Sequence, residues 1–317
     1  MYNIIATLRD CINRQLKPLI GSDYVLWDLP YYANLGDIFI WQGELDFLRT
    51  LPYKCVNYAS KDTCSFPNLS ASTIILLQGG GNFGDLYLAH QKFRNKVIET
   101  YPHNRIIMFP QSVWYEDECR IEEDVRVFAT HKNLYLCARD QWSYKHMKKH
   151  FSDNNILLVP DMAFFIDEAR LIKYRNKSTA KKLYFKRLDK EYSIYAPLEL
   201  GVGVDVHDWP TIEKESEVFS VVYKIYSVAK KLKKLPITSK ILYSLSDRLA
   251  IIIKDKLVRQ GCEFLSPYSM VVTTRLHAMI LSILLHKPIE YIDNTTGKLS
   301  AFVDTWLSEL ETIKKYE

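Results

Sequence analysis

A short apolar strand, Met270 to Thr273, runs straight into Thr274-Arg275-Leu276-His277. An apolar stretch of helical length follows, Ala278 to Pro288, and then a second strand, Ile289 to Ile292, which delivers Asp293-Asn294. Strand, crossover helix and strand in so short a span form a βαβ unit, which requires parallel strands with helices over the sheet. The unit sets Arg275 and His277 at the carboxyl end of a strand, where open α/β sheets bind ligands. Leu276 opens the helix, whose first N–H groups are unpaired and carry partial positive charge. A cation, a titratable imidazole and N–H donors at one spot suit an anionic substrate that needs a proton moved. An Arg-Leu-His tripeptide is also common by chance, and such an arginine can instead salt-bridge a neighbouring element.

The rest of the chain alternates in the same manner. Residues 1–20 read as an amphipathic helix, with Ile4, Ile5, Leu8, Ile12, Leu16 and Leu19 at helical spacing. Strands are expected at Tyr24–Leu29, Lys54–Tyr58, Thr73–Leu77, Arg105–Phe109, Leu134–Ala138 and Ile156–Val159. Helices are expected at Ile38–Arg49, Tyr87–Tyr101, Glu118–His131 and Asp140–His150. From Asp167 to Lys182 the chain turns basic and loses periodicity, which reads as an interdomain crossing. A strand at Lys182–Arg187 and helices at Ile212–Lys233 and Leu242–Gln260 lead to the βαβ unit. In the tail, Ser300 to Tyr316, a helical face carries Phe302, Trp306, Leu310 and Ile313. The expected fold is therefore α/β: two Rossmann-like domains, 1–170 and 171–317, facing a cleft, with a C-terminal helix packed on the body.

Two glycine-bearing turns follow strands in the first half. Ile74-Ile75-Leu76-Leu77 empties into Gln78-Gly79-Gly80-Gly81-Asn82-Phe83-Gly84-Asp85, formally GxGxxG. The dinucleotide reading also needs an acidic residue after the next strand, and Phe109-Pro110-Gln111-Ser112 supplies none. The glycines serve better to bring backbone close to a ligand, with Asn82 and Asp85 as polar contacts. Asn34-Leu35-Gly36-Asp37 has the same placement, with N-capping as its plainer role. Arg139, after Leu134–Ala138, is the counterpart of Arg275, and two guanidinium forks can clamp a small dianion. Arg187 stands in the mixed charge run Lys186 to Glu191, which reads by default as a solvated loop, with a place facing the cleft as the alternative. Asp161 reads as a cap or surface residue, and His207-Asp208-Trp209 as a loop cap.

The chain has 317 residues, ordinary for two domains, and a formal net charge of +5, too little for nucleic acid without a clustered patch. Six cysteines show no CxxC pair and no metal-ligand spacing, and charges run through the first twenty residues where a signal peptide would be apolar. Reduced thiols in a cytoplasmic protein, with no metal, are expected. The basic stretches Lys173–Lys190 and Lys230–Lys240 offer peripheral contact with an anionic membrane at its inner face, with solvated surface as the default.

In order along the chain stand Asn34-x-Gly36-Asp37, Gly79-Gly80-Gly81-Asn82-Phe83-Gly84-Asp85, Phe109-Pro110-Gln111-Ser112, Arg139-Asp140 and Pro160-Asp161. Arg187-x-Asp189-x-Glu191, Thr274-Arg275-Leu276-His277, Asp293-Asn294-x-x-Gly297-Lys298 and Asp304-Thr305-Trp306 complete the series. This series resembles the polysaccharide pyruvyl transferases over nearly the whole chain. The resemblance implies a fold similar to the GT-B glycosyltransferases, and transfer of pyruvate from phosphoenolpyruvate to a sugar of a cell-surface glycan or its lipid-linked precursor. The product is a cyclic ketal, phosphate leaves, and no cofactor is needed. It implies a donor site at Arg139, Arg275, Leu276 and His277, with Arg187, Asn34, Gly79, Gly80, Gly81, Asn82, Asn294 and Lys298 as further substrate contacts. His277 would act as the acid, and Asp37 or Asp85 would take the hydroxyl proton. Thr274 stands where such proteins often carry Asp, and Met279 where a second His often follows. A nucleotide-sugar glycosyltransferase and a catalytically inactive glycan-binding homologue are the rival readings.

Overall fold

The computed structural model describes residues 2–175, 179–188, 196–197, 200–214, 217–232, 235–293 and 297–316. Seven strands form a first sheet: β1 (Tyr24–Trp27), β2 (Cys55–Tyr58), β3 (Ile74–Leu77), β4 (Gly80–Gly84), β5 (Ile106–Trp114), β6 (Leu134–Ala138) and β7 (Asn155–Leu158). Their order is β2-β1-β3-β5-β6-β7, with β4 paired beside β5. Five more form a second sheet: β8 (Lys182–Phe185), β9 (Val204–His207), β10 (Met270–Thr273), β11 (Ile289–Tyr291) and β12 (Ile313–Lys315), in the order β12-β11-β10-β8-β9. Both sheets are parallel. Strands β1 and β3 are buried at every position, as parallel strands covered on both faces must be.

Each sheet has one point where its winding reverses. From β1 the chain moves outward to β2, then returns to β3 on the other side. From β8 it moves to β9, then returns to β10. The loops after β1 and β3, and after β8 and β10, therefore border the two crevices where such sheets take ligands.

The helix Leu35–Leu48 lies between these parts and is buried at all but one of its positions, Asp37. A helix with so little polar surface can only sit inside. One apolar cluster runs from Leu26, Leu76 and Ile107 of the first sheet, through Leu35, Phe39 and Trp41, to Leu183, Phe185 and Val271 of the second.

Several elements differ from expectation. The glycine run forms β4 rather than a bare loop, and β5 continues through Pro110 to Trp114 to pair with it. A helix, Glu168–Arg175, stands where the sequence suggested an aperiodic crossing, and only Leu171 and Tyr174 are buried on it. The tail is not one helix. It is helical over Lys298–Trp306, then turns and enters the sheet as β12, so Ile313 reaches the core from a strand. Where one helix was expected over Ile212–Lys233, the described residues form a short helix, Pro210–Glu213, and a separate one, Ser220–Lys231. Strand β9 had no counterpart in the sequence reading.

Candidate active site

Arg275 is the N-cap of the helix Leu276–Leu284, and its backbone N–H is held by Thr273 Oγ1 at 2.9 Å. Its guanidinium meets Asp208 through two nitrogens, Nε to Oδ1 and Nη2 to Oδ2, the latter at 2.6 Å. Both side chains are almost wholly buried. Asp208 also accepts the N–H groups of Leu188 at 2.9 Å and of Trp209 at 2.7 Å. Asp208 therefore does cap loop N–H groups, and it is also the counter-ion that ties the ends of β8 and β9 around Arg275. Thr274 adds a strap, accepting the N–H of Arg187 at 2.8 Å. Met279 is core.

Arg139 follows β6 and is equally buried. Its Nε donates to Ser112 Oγ at 2.8 Å and its Nη1 to Asp161 Oδ2 at 2.9 Å. The neighbouring Asp140 is occupied otherwise, capping the helix Gln141–His150 through Ser143 N and accepting the Ser112 hydroxyl. Of the two roles read for Asp161, cap holds and surface residue does not: it is buried, caps the 3₁₀ turn Met162–Phe165 by accepting Ala163 N–H at 2.9 Å, and lies 3.4 Å from His277 Nε2 as well. His277 Nε2 is also 3.4 Å from Arg139 Nη1. Burial alone would raise the Asp161 carboxyl; the charge and hydrogen bond of His277, the charge of Arg139 and the N–H of Ala163 overrule it and hold it at about 2. An arginine from the first sheet and a histidine from the second therefore share one carboxylate.

The glycine turns explain how these groups come so close. A Cβ at Gly36 would stand 2.6 Å from His277 Nδ1, and one at Gly81 would stand 2.9 Å from Arg139 Nη2. Each glycine vacates the space its partner fills. Asn34 does cap its helix, through Gly36 N at 3.1 Å, and its amide also donates to Asp37 Oδ2 at 2.9 Å beside the Tyr32 hydroxyl at 3.0 Å. Lys298 Nζ reaches Gly81 O at 3.4 Å, and Trp306 Nε1 donates to Arg139 O at 2.7 Å.

These side chains surround a cavity of about 370 Å³, a size suited to a small ligand. Asn34, Asp37, Gly81, Asn82 and Arg139 line it from the first sheet's loops, and Arg187, Arg275, Leu276, His277 and Lys298 from the second's. Asp85 is not among them. Its carboxylate accepts the N–H groups of Glu116 and Asp117 at 2.8–2.9 Å and braces that turn, beside a separate, smaller hollow. Gly79 and Gly80 lie behind the wall, where Gly79 N donates to the buried Glu44 at 2.9 Å. Asn294, and Asp189 and Glu191 of the Arg187 series, fall outside the described residues.

Besides Asp161 and Asp208, sequence reasoning missed a third buried network. Asp28, in a left-handed backbone conformation (φ 64°), accepts from His90 Nδ1 at 2.7 Å and Arg94 Nε at 2.9 Å. Arg94 in turn holds Asn82 by its backbone and side-chain oxygens, and His90 lines the cavity. A non-glycine residue with positive φ just after β1 is strained, and such strain clusters at functional sites; nothing in the sequence around Asp28 announces it. Among the described residues, no three His, Cys, Asp or Glu side chains are grouped to hold a metal ion.

The family model for polysaccharide pyruvyl transferase matches residues 34–295. A putative pyruvyl transferase, EpsO, from Bacillus subtilis is 32% identical over 90% of this chain and 86% of its own. Pyruvyl transferase 1 of Schizosaccharomyces pombe is 30% identical over 88% of this chain and 68% of its own. A functionally uncharacterised protein from Klebsiella pneumoniae subsp. pneumoniae, known as a crystal structure, shares the fold at 18% identity, with a TM-score of 0.64 over 98% of both chains.

Proposed function

The chain belongs to the polysaccharide pyruvyl transferase family, and from that premise we propose that it moves pyruvate from phosphoenolpyruvate onto two hydroxyls of a glycan sugar as a ketal. In this reading residues 1–170 and 171–317 are two Rossmann-like domains facing each other as in GT-B glycosyltransferases. The single observation that carries it is the meeting of Arg139 and His277, from strand ends of different sheets, over Asp161 in a cavity that Arg275 also lines.

Phosphoenolpyruvate is small and anionic at both ends. Arg139 and Arg275 bind its phosphate and carboxylate, supported by Arg187, Lys298 and the N–H groups at Leu276. Protonated His277, backed by anionic Asp161, delivers a proton to the methylene carbon, which becomes a methyl group. The adjacent carbon turns electrophilic and is attacked by one sugar hydroxyl, whose proton passes to Asp37. The second hydroxyl then displaces phosphate from the same carbon, and its proton leaves on the departing phosphate. Two C–O bonds form, one breaks, and the C=C bond becomes C–CH₃. Of the two carboxylates considered for the base, Asp37 is the one on the cavity wall.

The test is incubation with phosphoenolpyruvate and a panel of lipid-linked saccharides, with mass spectrometry of the acceptor and release of phosphate as readouts. Wild type adds pyruvate less one water, and His277→Ala adds none while keeping its melting temperature. Thermal stabilisation by nucleoside diphosphates but not by phosphoenolpyruvate would overturn the donor assignment. Tight glycan binding without turnover would leave only a binding protein.

A further inference from the structure

The cavity uses little of the region between β9 and β10. There the helices Ser220–Lys231 and Pro236–Leu265 form an antiparallel hairpin. Its inner side is secured to the body: Val222, Ala229, Ala250 and Leu257 are buried, Tyr223 Oη donates to Tyr31 O at 3.2 Å, and Phe219 stacks on Tyr31. Its outer side is another matter. Among the described residues, seven of the thirteen large apolar side chains that stand exposed lie between Val221 and Ile252, so apolar exposure is concentrated here rather than scattered.

Charge is concentrated here too. From Ser220 to Ile252 the sequence has seven basic residues and one acidic residue, Asp247, a surplus larger than the whole chain's net charge of +5. On the first helix the exposed face reads Val221, Lys224, Val228, Lys231. On the second it reads Ile237, Ile241, Leu245, Arg248, Ile252. These spacings put aliphatic and basic side chains on the same outward stripes.

We propose that the outer face of this hairpin docks the enzyme on an anionic lipid bilayer, its aliphatic side chains entering the headgroup boundary and its lysines meeting lipid phosphates. A basic amphipathic surface with protruding aliphatic groups has the chemistry of interfacial membrane binding. Nucleic acid would use the lysines but gain nothing from Ile237 or Ile241. A second copy related by twofold symmetry would bring like charges together. No helix of the described residues is long and apolar enough to cross a membrane, so the contact is peripheral. The hairpin base adjoins the cavity: Tyr31 precedes Tyr32 of the cavity wall, and Thr211 Oγ1 donates to Ala33 O at 2.5 Å beside cavity-lining Ile212. Docked this way, the enzyme holds its cavity near the surface from which a lipid-linked sugar would be presented; that consequence, unlike the docking, rests on the proposed acceptor.

Sedimentation of the full chain with vesicles tests the docking. The protein should bind vesicles of phosphatidylglycerol and phosphatidylethanolamine and ignore pure phosphatidylcholine. Lys230→Gln with Lys231→Gln should lower partitioning about thirtyfold, and Ile237→Ser with Ile241→Ser should also release the protein. Both double variants should melt as wild type does and keep the thermal shift with phosphoenolpyruvate, which separates this test from that of the donor site. Wild type that stays in the supernatant, or variants that bind as wild type does, would overturn the proposal. So would DNA binding that survives the serine changes, or a dimer that they dissociate.

Discussion

Replacing Gly36 by alanine should separate catalysis from stability. The new methyl would lie 2.6 Å from His277 Nδ1, 3.0 Å from Cγ and 3.1 Å from Cβ, where ordinary contact begins at about 3.4 Å. The imidazole must therefore retreat by nearly 1 Å, and a shift of that size at a reacting group costs on the order of 10²-fold in rate. Stability should move the other way. Gly36 is in the first turn of a helix, its N–H bond to Asn34 survives the change, and alanine gains up to about 1 kcal/mol over glycine in helical backbone. The helix should hold and the imidazole yield, because the ring is the more easily moved body. The assay pairs phosphate release at saturating phosphoenolpyruvate with thermal melting. The expected result is kcat down about a hundredfold with the melting temperature unchanged or raised. The Gly36→Ala/His277→Ala double variant should be no less active than His277→Ala alone, since both changes act through the same ring. Wild-type turnover in Gly36→Ala would refute the reasoning, because it would mean that the ring's position against this helix does not matter to the chemistry.

Gly81→Ala should strike the donor rather than the acid. Its methyl would sit 2.9 Å from Arg139 Nη2, and that side chain, pinned to Ser112 and Asp161, has no room to swing; calorimetric Kd for phosphoenolpyruvate should rise about tenfold or more, and an unchanged Kd would count against Arg139 as a donor contact. Asp161 makes an acid-side prediction: its carboxyl is depressed in the folded state, so its stabilisation is complete above the ordinary value of 3.8 and is lost as pH falls towards about 2. That contribution is on the order of 2 kcal/mol, and Asp161→Asn should remove this limb from a stability–pH profile followed by circular dichroism. Glu44 makes the opposite one. Burial lifts its carboxyl well above the usual range, only partly countered by the Gly79 N–H. The unfolded chain therefore releases this proton first, and stability declines as pH rises above the ordinary value of 4.5. Glu44→Gln keeps an oxygen for Gly79 and should stabilise the protein at pH 8 while leaving it nearly unchanged at pH 4; equal effects at both would refute the assignment.

What the sequence made legible follows from where its signals are local. Strands buried on both faces are runs such as Ile74–Leu77 and Met270–Thr273, and these were readable to within a residue or two. Strand β9 was not, because Val204–His207 is only half buried at the sheet edge, nor was β12, where Ile313 alone is buried. The glycines of β4 carry no strand propensity at all. The residues expected around the ligand mostly do share one cavity, since strand-to-helix turns after parallel strands must open on the same side of a sheet. Asp85 does not, because its turn follows β4 and lies beyond the crevice edge. The counter-ions escaped for a different reason. Asp161 is 22 residues from Arg139, and Asp208 is 67 from Arg275, so no local pattern joins them. One physical signal was available: arginines buried at strand ends require buried carboxylates, and Pro160-Asp161 follows the strand next to that of Arg139.

The helix Leu35–Leu48 then accounts for why the site forms at all. Gly36 and Gly43 are two turns apart and so share one face of it. Gly36 leaves room for His277. A Cβ at Gly43 would stand 1.8 Å from the backbone oxygen of Met162, the residue after Asp161. One glycine stripe thus receives the imidazole from the second sheet and the turn that carries its carboxylate partner from the first. Their 3.4 Å separation is set by that helix as a template, and the helix is itself fixed by burial on nearly every side. Since a packed interior is dense and resists compression, the alignment of Arg139, Asp161 and His277 is a property of the core between the sheets, established before any substrate arrives.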